Sequence, residues 1–362
     1  MKIYRDYDLT KLNTFGVSAK ARFLAEVTNE NDLASLFSAP EFKQNTKMFL
    51  GGGSNVLFTK DFDGMVVLNK LKGINILAED SETVTVRSMG GEIWHDLVLF
   101  AVNHNYWGIE NLSSIPGTVG AAPIQNIGAY GAELNDTLLN VEAFEIETGD
   151  KKIFNKKECQ LGYRDSVFKN ELKGQYFISA VTLKLSKKEK KNVTYKILQE
   201  YLEKNKIEIK SPKDISEAVT SIRKSKLPDP KIIGNVGSFF KNVFLSRRSG
   251  SEGGTKSKLE ELLKKYPEMP YFKEPVGALA LSNENEMIKI PAGWLIEQTG
   301  PESGTSWKGK RFGRVGVHKK QALVLVNYGD ATGAEILELA EKITMSVKKK
   351  FGLELTPEVN LI

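Results

Sequence analysis

The segment covering residues 113–131 constrains the fold of this chain more than any other stretch. It contains four glycines and two prolines, and small residues flank the glycines, so little side-chain bulk covers its backbone. Backbone of this kind suits close approach to a large flat ligand. An irregular loop packed tightly on a hydrophobic core requires the same small residues. This long glycine segment therefore indicates either cofactor contact or dense packing.

A second glycine-rich stretch, Gly51-Gly52-Gly53-Ser54, follows a predicted strand and precedes the apolar pair Val56-Leu57. Successive glycine amides can curl around an anion, which favours a phosphate cradle. The Rossmann pattern G-x-G-x-x-G does not describe it, because Ser54-Asn55 follows the glycines and no helical pattern begins there. From the residues alone, a tight structural turn explains this short glycine turn equally well.

Apolar and alternating runs predict strands at residues 47–50, 65–69, 83–88, 141–148, 176–185 and 322–327. Thr148-Gly149-Asp150 is typical of a hairpin turn, so part of the sheet is expected to be antiparallel, which argues against a plain doubly wound fold. Helical spacing predicts a C-terminal helix through residues 336–351 that ends at Gly352, and helices at 92–104 and 259–265. Residues 245–257 are expected to form a mobile or peripheral loop.

Composition excludes several classes of protein. Of the 362 residues, 41% are hydrophobic and 27% charged, which suits two or three globular domains. No run predicts a membrane span or a signal peptide, so we expect a cytoplasmic protein without a membrane partner. One cysteine and three histidines are a poor supply for a metal site, and none is predicted. The net charge of +6 comes from scattered lysines, which we interpret as a solvated surface and not a nucleic-acid interface; it also suits an anionic nucleotide diphosphate.

Further motifs follow one another along the chain. They are Asn13-Thr14-Phe15-Gly16, residues 51–57, residues 115–131, Gly162-Tyr163-Arg164-Asp165-Ser166-Val167-Phe168, Lys226-Leu227-Pro228-Asp229-Pro230, residues 234–242, Ala292-Gly293-Trp294-Leu295-Ile296 and Thr356-Pro357-Glu358-Val359. With this ordered set, the chain resembles the UDP-N-acetylenolpyruvoylglucosamine reductases over nearly its whole length. A single match is compatible with chance, but the set in this order is specific.

The resemblance implies an α+β fold. A two-part FAD-binding unit of the vanillyl-alcohol-oxidase (PCMH) type covers residues 1–70 and 71–227. A C-terminal α/β substrate-binding domain covers residues 228–350, and residues 351–362 return to the active site. The positions implied for FAD are Gly51, Gly52, Gly53, Ser54, Asn55, Val56, Ser114, Ile115, Pro116, Gly117, Gly120, Ala121, Gln125, Asn126, Gly128, Ala129, Tyr130 and Gly131. A monomer is expected.

The reaction that the resemblance implies is the reduction of UDP-N-acetylglucosamine enolpyruvate with NADPH, through FAD. Hydride adds to the terminal carbon of the enol ether and leaves an enolate that needs a cation and one proton. Arg164 is the implied partner of the substrate carboxylate and the developing enolate. Ser238 is the implied proton donor, and Glu358 the implied group that polarises the enolate. From the residues alone, each has an ordinary alternative: a surface ion pair with Asp165, a turn, and an exposed carboxylate.

Substrate contacts are implied for Tyr163, Tyr195, Lys226 and Asn242. Lys226 lies in a matched motif, whereas an ordinary buried hydroxyl explains Tyr195 equally well. Val243 and Thr356 depart from the family, in which proline and glutamate are common at these positions. The resemblance therefore does not define the shape of the substrate pocket. The histidines His95, His104 and His318 are interpreted as structural or exposed, without acid-base work.

Two alternatives stay open at this stage. A flavin oxidase or dehydrogenase on the same fold would use another acceptor or substrate, because fold alone does not define activity. A non-catalytic protein that binds a UDP-sugar would keep the fold without turnover. The identity of the electron donor that bleaches a bound flavin would distinguish the first alternative from the reductase. Measured turnover of the enolpyruvyl sugar would exclude the second.

Overall fold

A computed structural model of the protein describes residues 1–245, 254–275 and 286–362. Most of the predicted loop at 245–257 therefore lies outside the described residues. Within the described part, no helix is both long and apolar enough to cross a bilayer.

Strands and helices alternate irregularly along the chain. The strands are β1 Ile3–Asp8, β2 Lys20–Val27, β3 Thr46–Leu50, β4 Val56–Leu57, β5 Phe62–Asn69, β6 Ile74–Glu79, β7 Thr83–Met89, β8 Gly128–Ala129, β9 Ala132–Glu133, β10 Leu138–Glu145, β11 Lys151–Asn155, β12 Tyr176–Ser186, β13 Val243–Leu245, β14 Phe272–Pro275, β15 Glu286–Ile290, β16 Arg311–Phe312, β17 Val315–Val317, β18 Leu325–Asn327 and β19 Asn360–Leu361. The α-helices are α1 Asn31–Ser38, α2 Pro40–Lys43, α3 Trp94–Asn103, α4 Lys196–Lys204, α5 Pro212–Lys226, α6 Gly254–Lys265, α7 Ala292–Glu297 and α8 Gly333–Phe351.

The chain divides into two units. The first contains Met1–Leu12, Ala19–Ser54 and Asp61–Lys226, and the second contains Asn13–Ser18, Asn55–Lys60 and Leu227–Ile362. The four-part division predicted from the sequence stays a prediction.

The first unit is built on two sheets. One has the order β1-β2-β5-β3, in which β1 is antiparallel to β2 and β5 is parallel to both of its neighbours. The other is antiparallel, with the order β11-β10-β12-β7-β6. Its central strand β12 is buried over most of its length, which explains its nearly continuous apolar sequence. The predicted hairpin is confirmed, because β10 and β11 pair across Thr148-Gly149-Asp150.

Several predicted boundaries were wrong. Strand β10 ends at Glu145 and not at 148, because Glu145 already accepts a hydrogen bond from the amide of Gly149 inside the turn. Helix α3 begins at Trp94 and not at 92, because Ile93 forms a β-bridge with Thr118. Strand β18 begins at Leu325, since residues 321–324 form a turn closed by the Val324 amide. Helix α6 begins at Gly254, ahead of the predicted 259.

The second unit contains small antiparallel sheets with the orders β13-β15-β14 and β16-β17-β18, and a parallel pair of β4 and β19. Helix α8 packs its buried face, which includes Ile336 and Ile343, into the core of this unit. The helix begins with a capping box between Thr332 and Glu335. It ends at Gly352, whose φ of 64° is the left-handed conformation that glycine adopts without strain. The predicted C-terminal helix and its glycine cap are confirmed.

Candidate active site

The two glycine-rich stretches lie against each other in the first unit. A Cβ atom added to Gly52 would lie 3.0 Å from the Cα of Gly117, and one added to Gly117 would lie 3.1 Å from the Ser54 Oγ. A Cβ on Gly51 would overlap the hydroxyl of Thr118. The glycines therefore allow two backbones to approach where side chains would separate them. Together, the short glycine turn and the long glycine segment form one backbone surface.

Four residues near this surface that are not glycine adopt left-handed backbone conformations. The φ angles are 57° at Ser114, 42° at Asn126, 49° at Tyr130 and 52° at Arg164. Such conformations cost about 1–3 kcal/mol each in ordinary residues and persist where the surroundings impose them. Their concentration around the glycine segment indicates a region shaped for function.

Arg164 is tied to the long glycine segment. Its Nη2 donates a hydrogen bond to the carbonyl oxygen of Gly128 at 2.7 Å. A Cβ on Gly128 would lie 2.9 Å from the Nη1 of Arg164, so glycine leaves the space that the guanidinium occupies. The guanidinium also lies 5.3 Å from the ring centre of Tyr163, within cation–π range. The permanent charge of Arg164 is therefore held beside the segment implied for the cofactor.

Asn126 holds the turn that carries Arg164. Its side chain is fully buried, and its Nδ2 donates to the carbonyl oxygen of Gly162 at 3.0 Å and to Glu133 at 2.8 Å. Its Oδ1 accepts from the amide of Asn135 at 3.0 Å. Although the sequence assigns Asn126 to the cofactor, these contacts give its side chain a positioning task inside the protein.

Tyr195 lies in a loop that is fastened to the end of the long glycine segment. Its ring packs edge to face on Tyr130, with ring centres 5.5 Å apart. The Nδ2 of Asn111 donates to the carbonyl oxygens of Tyr130 and Asn192, at 2.8 and 2.9 Å. Tyr195 itself is exposed, at 43% of its surface, which does not favour the alternative of an ordinary buried hydroxyl. Lys226, partly buried, ends helix α5.

Arg223 was missed by sequence reasoning. It lies one turn before Lys226 on α5, and its Nε donates to the carbonyl oxygen of Ser114 at 3.2 Å. Burial, followed by the charge of Arg164, lowers the pKa of Arg223, while the hydroxyl of Tyr130 opposes this shift. Two guanidinium groups therefore lie near the long glycine segment, which suits an anionic ligand. The basic last turn of α5 was the available sequence signal.

Ser238 and Glu358 come together in the second unit. The amide of Glu358 donates to the carbonyl oxygen of Phe239 at 2.8 Å, and the amide of Lys241 donates to Thr356 at 2.9 Å. This antiparallel pairing aligns the segment after Ser238 with the Thr-Pro-Glu motif. Both side chains are partly exposed. Because the contact of Thr356 uses its backbone oxygen, its departure from the family's glutamate leaves this pairing intact.

The motif at Asn13-Thr14-Phe15-Gly16 supports the segment of Ser238. The amide of Asn235 donates to the carbonyl oxygen of Thr14 at 2.9 Å, and the Thr14 hydroxyl donates back to Asn235 at 2.7 Å. A Cβ on Gly234 would overlap the carbonyl of Phe15. Asn327, which sequence reasoning missed, donates to that same carbonyl oxygen at 2.9 Å. This motif therefore acts through packing and not through chemistry.

Two further candidates lie in the second unit. The Oδ1 of Asn242 accepts from the amide of Ala292, the first residue of α7, at 3.1 Å. The carbonyl oxygen of Asn55 accepts from the amide of Asn360 at 3.1 Å, and the Nδ2 of Asn55 donates to the Glu358 carbonyl at 3.3 Å. Asn55 and Val56 therefore lie beside the C-terminal strand that follows Glu358.

Two protein families match the sequence of this chain. Residues 21–153 match a family described as an FAD binding domain. Residues 229–362 match the family described as UDP-N-acetylenolpyruvoylglucosamine reductase, C-terminal domain. These matches agree with the predicted fold class, an FAD-binding unit followed by a second domain.

Similar proteins span the whole chain. The UDP-N-acetylenolpyruvoylglucosamine reductase of Flavobacterium johnsoniae is 47% identical and that of Amoebophilus asiaticus 46%, each covering 100% of both chains. A crystal structure of the corresponding enzyme from Thermus caldophilus matches with a TM-score of 0.62 over 99% of this chain and 98% of that chain. At 23% identity, this last likeness supports the fold alone.

Proposed function

Because this chain belongs to the family of the UDP-N-acetylenolpyruvoylglucosamine reductases, we propose that it reduces UDP-N-acetylglucosamine enolpyruvate to UDP-N-acetylmuramate with electrons from NADPH. The chain is an FAD-binding oxidoreductase of peptidoglycan precursor synthesis. The choice of NADPH, the roles of single residues and the order of events are parts of the proposal. The observation that carries the residue roles is the backbone pairing that aligns Glu358 with the residue after Ser238.

The described residues fit FAD. The glycines at 51, 52 and 117 let the two glycine-rich stretches pack closely together into one backbone surface. The guanidinium groups of Arg164 and Arg223 bind the long glycine segment, so it lies beside positive charge that suits a diphosphate. We propose that FAD binds along this surface, through the positions named from the sequence in the short glycine turn and the long glycine segment. When bound, FAD supplies the hydride transfer.

In the proposed mechanism, Arg164 binds the carboxylate of the enolpyruvyl group. Its guanidinium is held by the Gly128 carbonyl, so it needs little reorganisation when negative charge develops on the substrate. Ser238 donates its hydroxyl proton to the substrate carbon that bears the enolate. No described residue shares a hydrogen bond with this hydroxyl, which leaves it available for the transfer. Glu358 polarises the enolate through a proton or an ordered water.

In the same proposal, Tyr163, Tyr195, Lys226 and Asn242 contact the UDP-sugar. The exposure of Tyr195 supports this role, because an exposed tyrosine that packs on Tyr130 at the end of the long glycine segment is accessible to a phosphate. The ammonium group of Lys226 is a point charge that suits a diphosphate.

We also propose that the enzyme is cytoplasmic and monomeric. The cytoplasmic location is supported by its proposed substrates, because a nucleotide sugar and NADPH are both cytoplasmic metabolites. Light scattering of the purified protein measures the oligomeric state, with 40.3 kDa expected for a monomer. A mass of twice that value would contradict it.

The absorbance spectrum of the purified protein tests the proposed function. After reconstitution with FAD, anaerobic NADPH is expected to bleach the flavin band, and UDP-N-acetylglucosamine enolpyruvate is expected to restore it. NADH in parallel measures the choice of donor. Bleaching without recovery would point to another oxidant, and a protein that binds no FAD would contradict the proposal at its first step.

A further inference from the structure

Ser114 is held by side chains on both of its backbone polar groups. Its amide donates to the Nδ1 of His95 at 3.1 Å, and its carbonyl oxygen accepts from the Nε of Arg223 at 3.2 Å. Its own hydroxyl lies 2.9 Å from the hydroxyl of Thr220. Side chains from α3 and α5 thus fix a residue whose φ of 57° is unfavourable for serine. Ser114 opens the run that continues through Pro116 and Gly117 in the long glycine segment.

The contact to His95 requires an unprotonated Nδ1. A backbone amide can only donate, so the imidazole nitrogen that faces it must accept. The neutral ring with its proton on Nε2 is therefore the form that completes this hydrogen bond. A protonated ring would present an N–H group to the Ser114 N–H group, and the hydrogen bond would be lost.

The surroundings of His95 favour that neutral form. Burial lowers the pKa of His95, and the charges of Lys224 and Arg223 on α5 lower it further, while Asp96 on its own helix opposes them. The other histidine on this helix differs. His104 is exposed at the end of α3 and donates from Nδ1 to the carbonyl oxygen of Phe100 at 2.8 Å. Protonation is compatible with that contact.

The start of α3 is bound to the glycine segment at several points. The amide of Trp94 donates to the Gly117 carbonyl at 3.1 Å, and its indole Nε1 donates to the Leu112 carbonyl at 3.0 Å. The amide of Val119 donates to Glu92 at 2.8 Å. These contacts do not depend on protonation between pH 5 and 8, so His95 is the titrating member of the set.

We propose that His95 is a positioning residue for FAD, which holds Ser114 in its left-handed conformation through an unprotonated Nδ1 and releases it on acidification. The inference rests on the proposed binding of FAD along the long glycine segment. It assigns no proton transfer to His95, in agreement with the sequence interpretation. Because the folded protein favours neutral His95, the hydrogen bond from the Ser114 amide is complete above pH 6.5, the ordinary pKa of histidine. It is lost as the pH falls through the lowered pKa of His95.

Titration of the apoprotein with FAD, followed by flavin fluorescence at pH 8.0 and 5.5, tests the proposal. His95→Leu is expected to weaken FAD binding about tenfold at pH 8.0, because the partly buried Ser114 amide loses its acceptor. In His95→Asn the amide oxygen takes the place of Nδ1 and accepts at every pH. This variant is expected to keep the affinity at pH 8.0 and to lose most of the pH dependence of the parent. His104→Asn is the matched control on the same helix and should follow the parent at both values.

Nuclear magnetic resonance gives a readout without FAD. The chain has three histidines, so single variants assign each imidazole signal, and the Ser114 amide shift is expected to follow the titration of His95. Three results would overturn the proposal: a His95→Leu protein that binds FAD like the parent, a His95→Asn protein with unchanged pH dependence, or a Ser114 amide that ignores the titration. Failure of the parent protein to bind FAD would instead contradict the proposed function.

Discussion

The amide of Glu358 donates a hydrogen bond to the carbonyl oxygen of Phe239 at 2.8 Å, which fixes Glu358 beside the residue that follows Ser238. This contact joins positions far apart in the sequence through main-chain atoms alone. Substitution of either functional side chain therefore leaves the pairing intact. The two groups can be tested one at a time without loss of the fold.

The first test is Ser238→Ala. The variant is expected to accept electrons from NADPH at the parent rate, because the hydroxyl has no part in that half of the reaction. Return of the flavin band on addition of the enolpyruvyl sugar is expected to slow by about 10² to 10⁴, the usual range for a positioned proton donor. Stopped-flow absorbance measures both phases on one sample. An unchanged second phase would assign the proton to another group.

Glu358→Gln is expected to lower kcat by about 10², since the amide cannot exchange a proton with the enolate or a water. The pairing through the Glu358 amide persists, so the melting temperature should stay near that of the parent. Glu354→Gln is the matched control, because Glu354 lies four residues earlier and its exposed side chain pairs with Lys348 at 3.2 Å. Equal losses of kcat in both variants would count against a specific role for Glu358.

Gly128→Ala tests the position of Arg164. The added Cβ would lie 2.9 Å from Nη1, 3.0 Å from the Cγ of Glu133 and 3.2 Å from the carbonyl oxygen of Ala132, so the guanidinium and the Glu133 side chain must both shift. The displaced charge is expected to lower kcat/KM by about 10², as small misplacements of catalytic groups do. Gly293→Ala is the control, because its nearest neighbour would be an ordinary contact at 3.4 Å. Parent-like kinetics in Gly128→Ala would show that Arg164 does not depend on this contact.

The fold was predictable where local pattern decides structure. The β10–β11 hairpin follows from its turn residues, and α8 follows from helical spacing and Gly352. The strand ends at 148 and 322 were wrong because hydrogen bonds inside local turns set them. The sequence identifies the motif that begins at Asn13 but does not predict its structural role, since its partners Asn235 and Asn327 are distant in sequence.

The candidate residues in the glycine-rich stretches could be named from their resemblance to a family, but the residues that support them could not. His95 and Arg223 both bind Ser114, and neither has a local pattern that predicts this shared contact. The left-handed backbone of Ser114, Tyr130 and Arg164 has no sequence signal either, because these residue types rarely adopt it. Such conformations depend on tertiary contacts, which one sequence does not reveal.

Glu142 connects stability to pH in the first unit. It accepts from the Nε of Arg87 at 2.5 Å and lies 2.8 Å from the Nζ of Lys151. The hydrogen bond from Arg87, with support from Lys151, lowers the pKa of Glu142 from 4.5 to about 2, although burial opposes the shift. Because the folded value lies below the unfolded one, this stabilisation is complete above pH 4.5 and is lost as the pH falls towards 2.

Glu142→Gln is therefore expected to reduce the free energy of unfolding at pH 7 by about 2 kcal/mol, because Arg87 and Lys151 lose their buried partner. The difference from the parent should shrink as the pH falls from 4.5 towards 2, since Glu142 of the unfolded parent then takes up a proton while the folded protein still holds the carboxylate. Urea unfolding at several pH values measures this. Glu82→Gln, which breaks an exposed ion pair with Lys188, is the matched control and should cost less than about 1 kcal/mol. A Glu142→Gln protein as stable as this control at pH 7 would refute a stabilising role for the buried carboxylate.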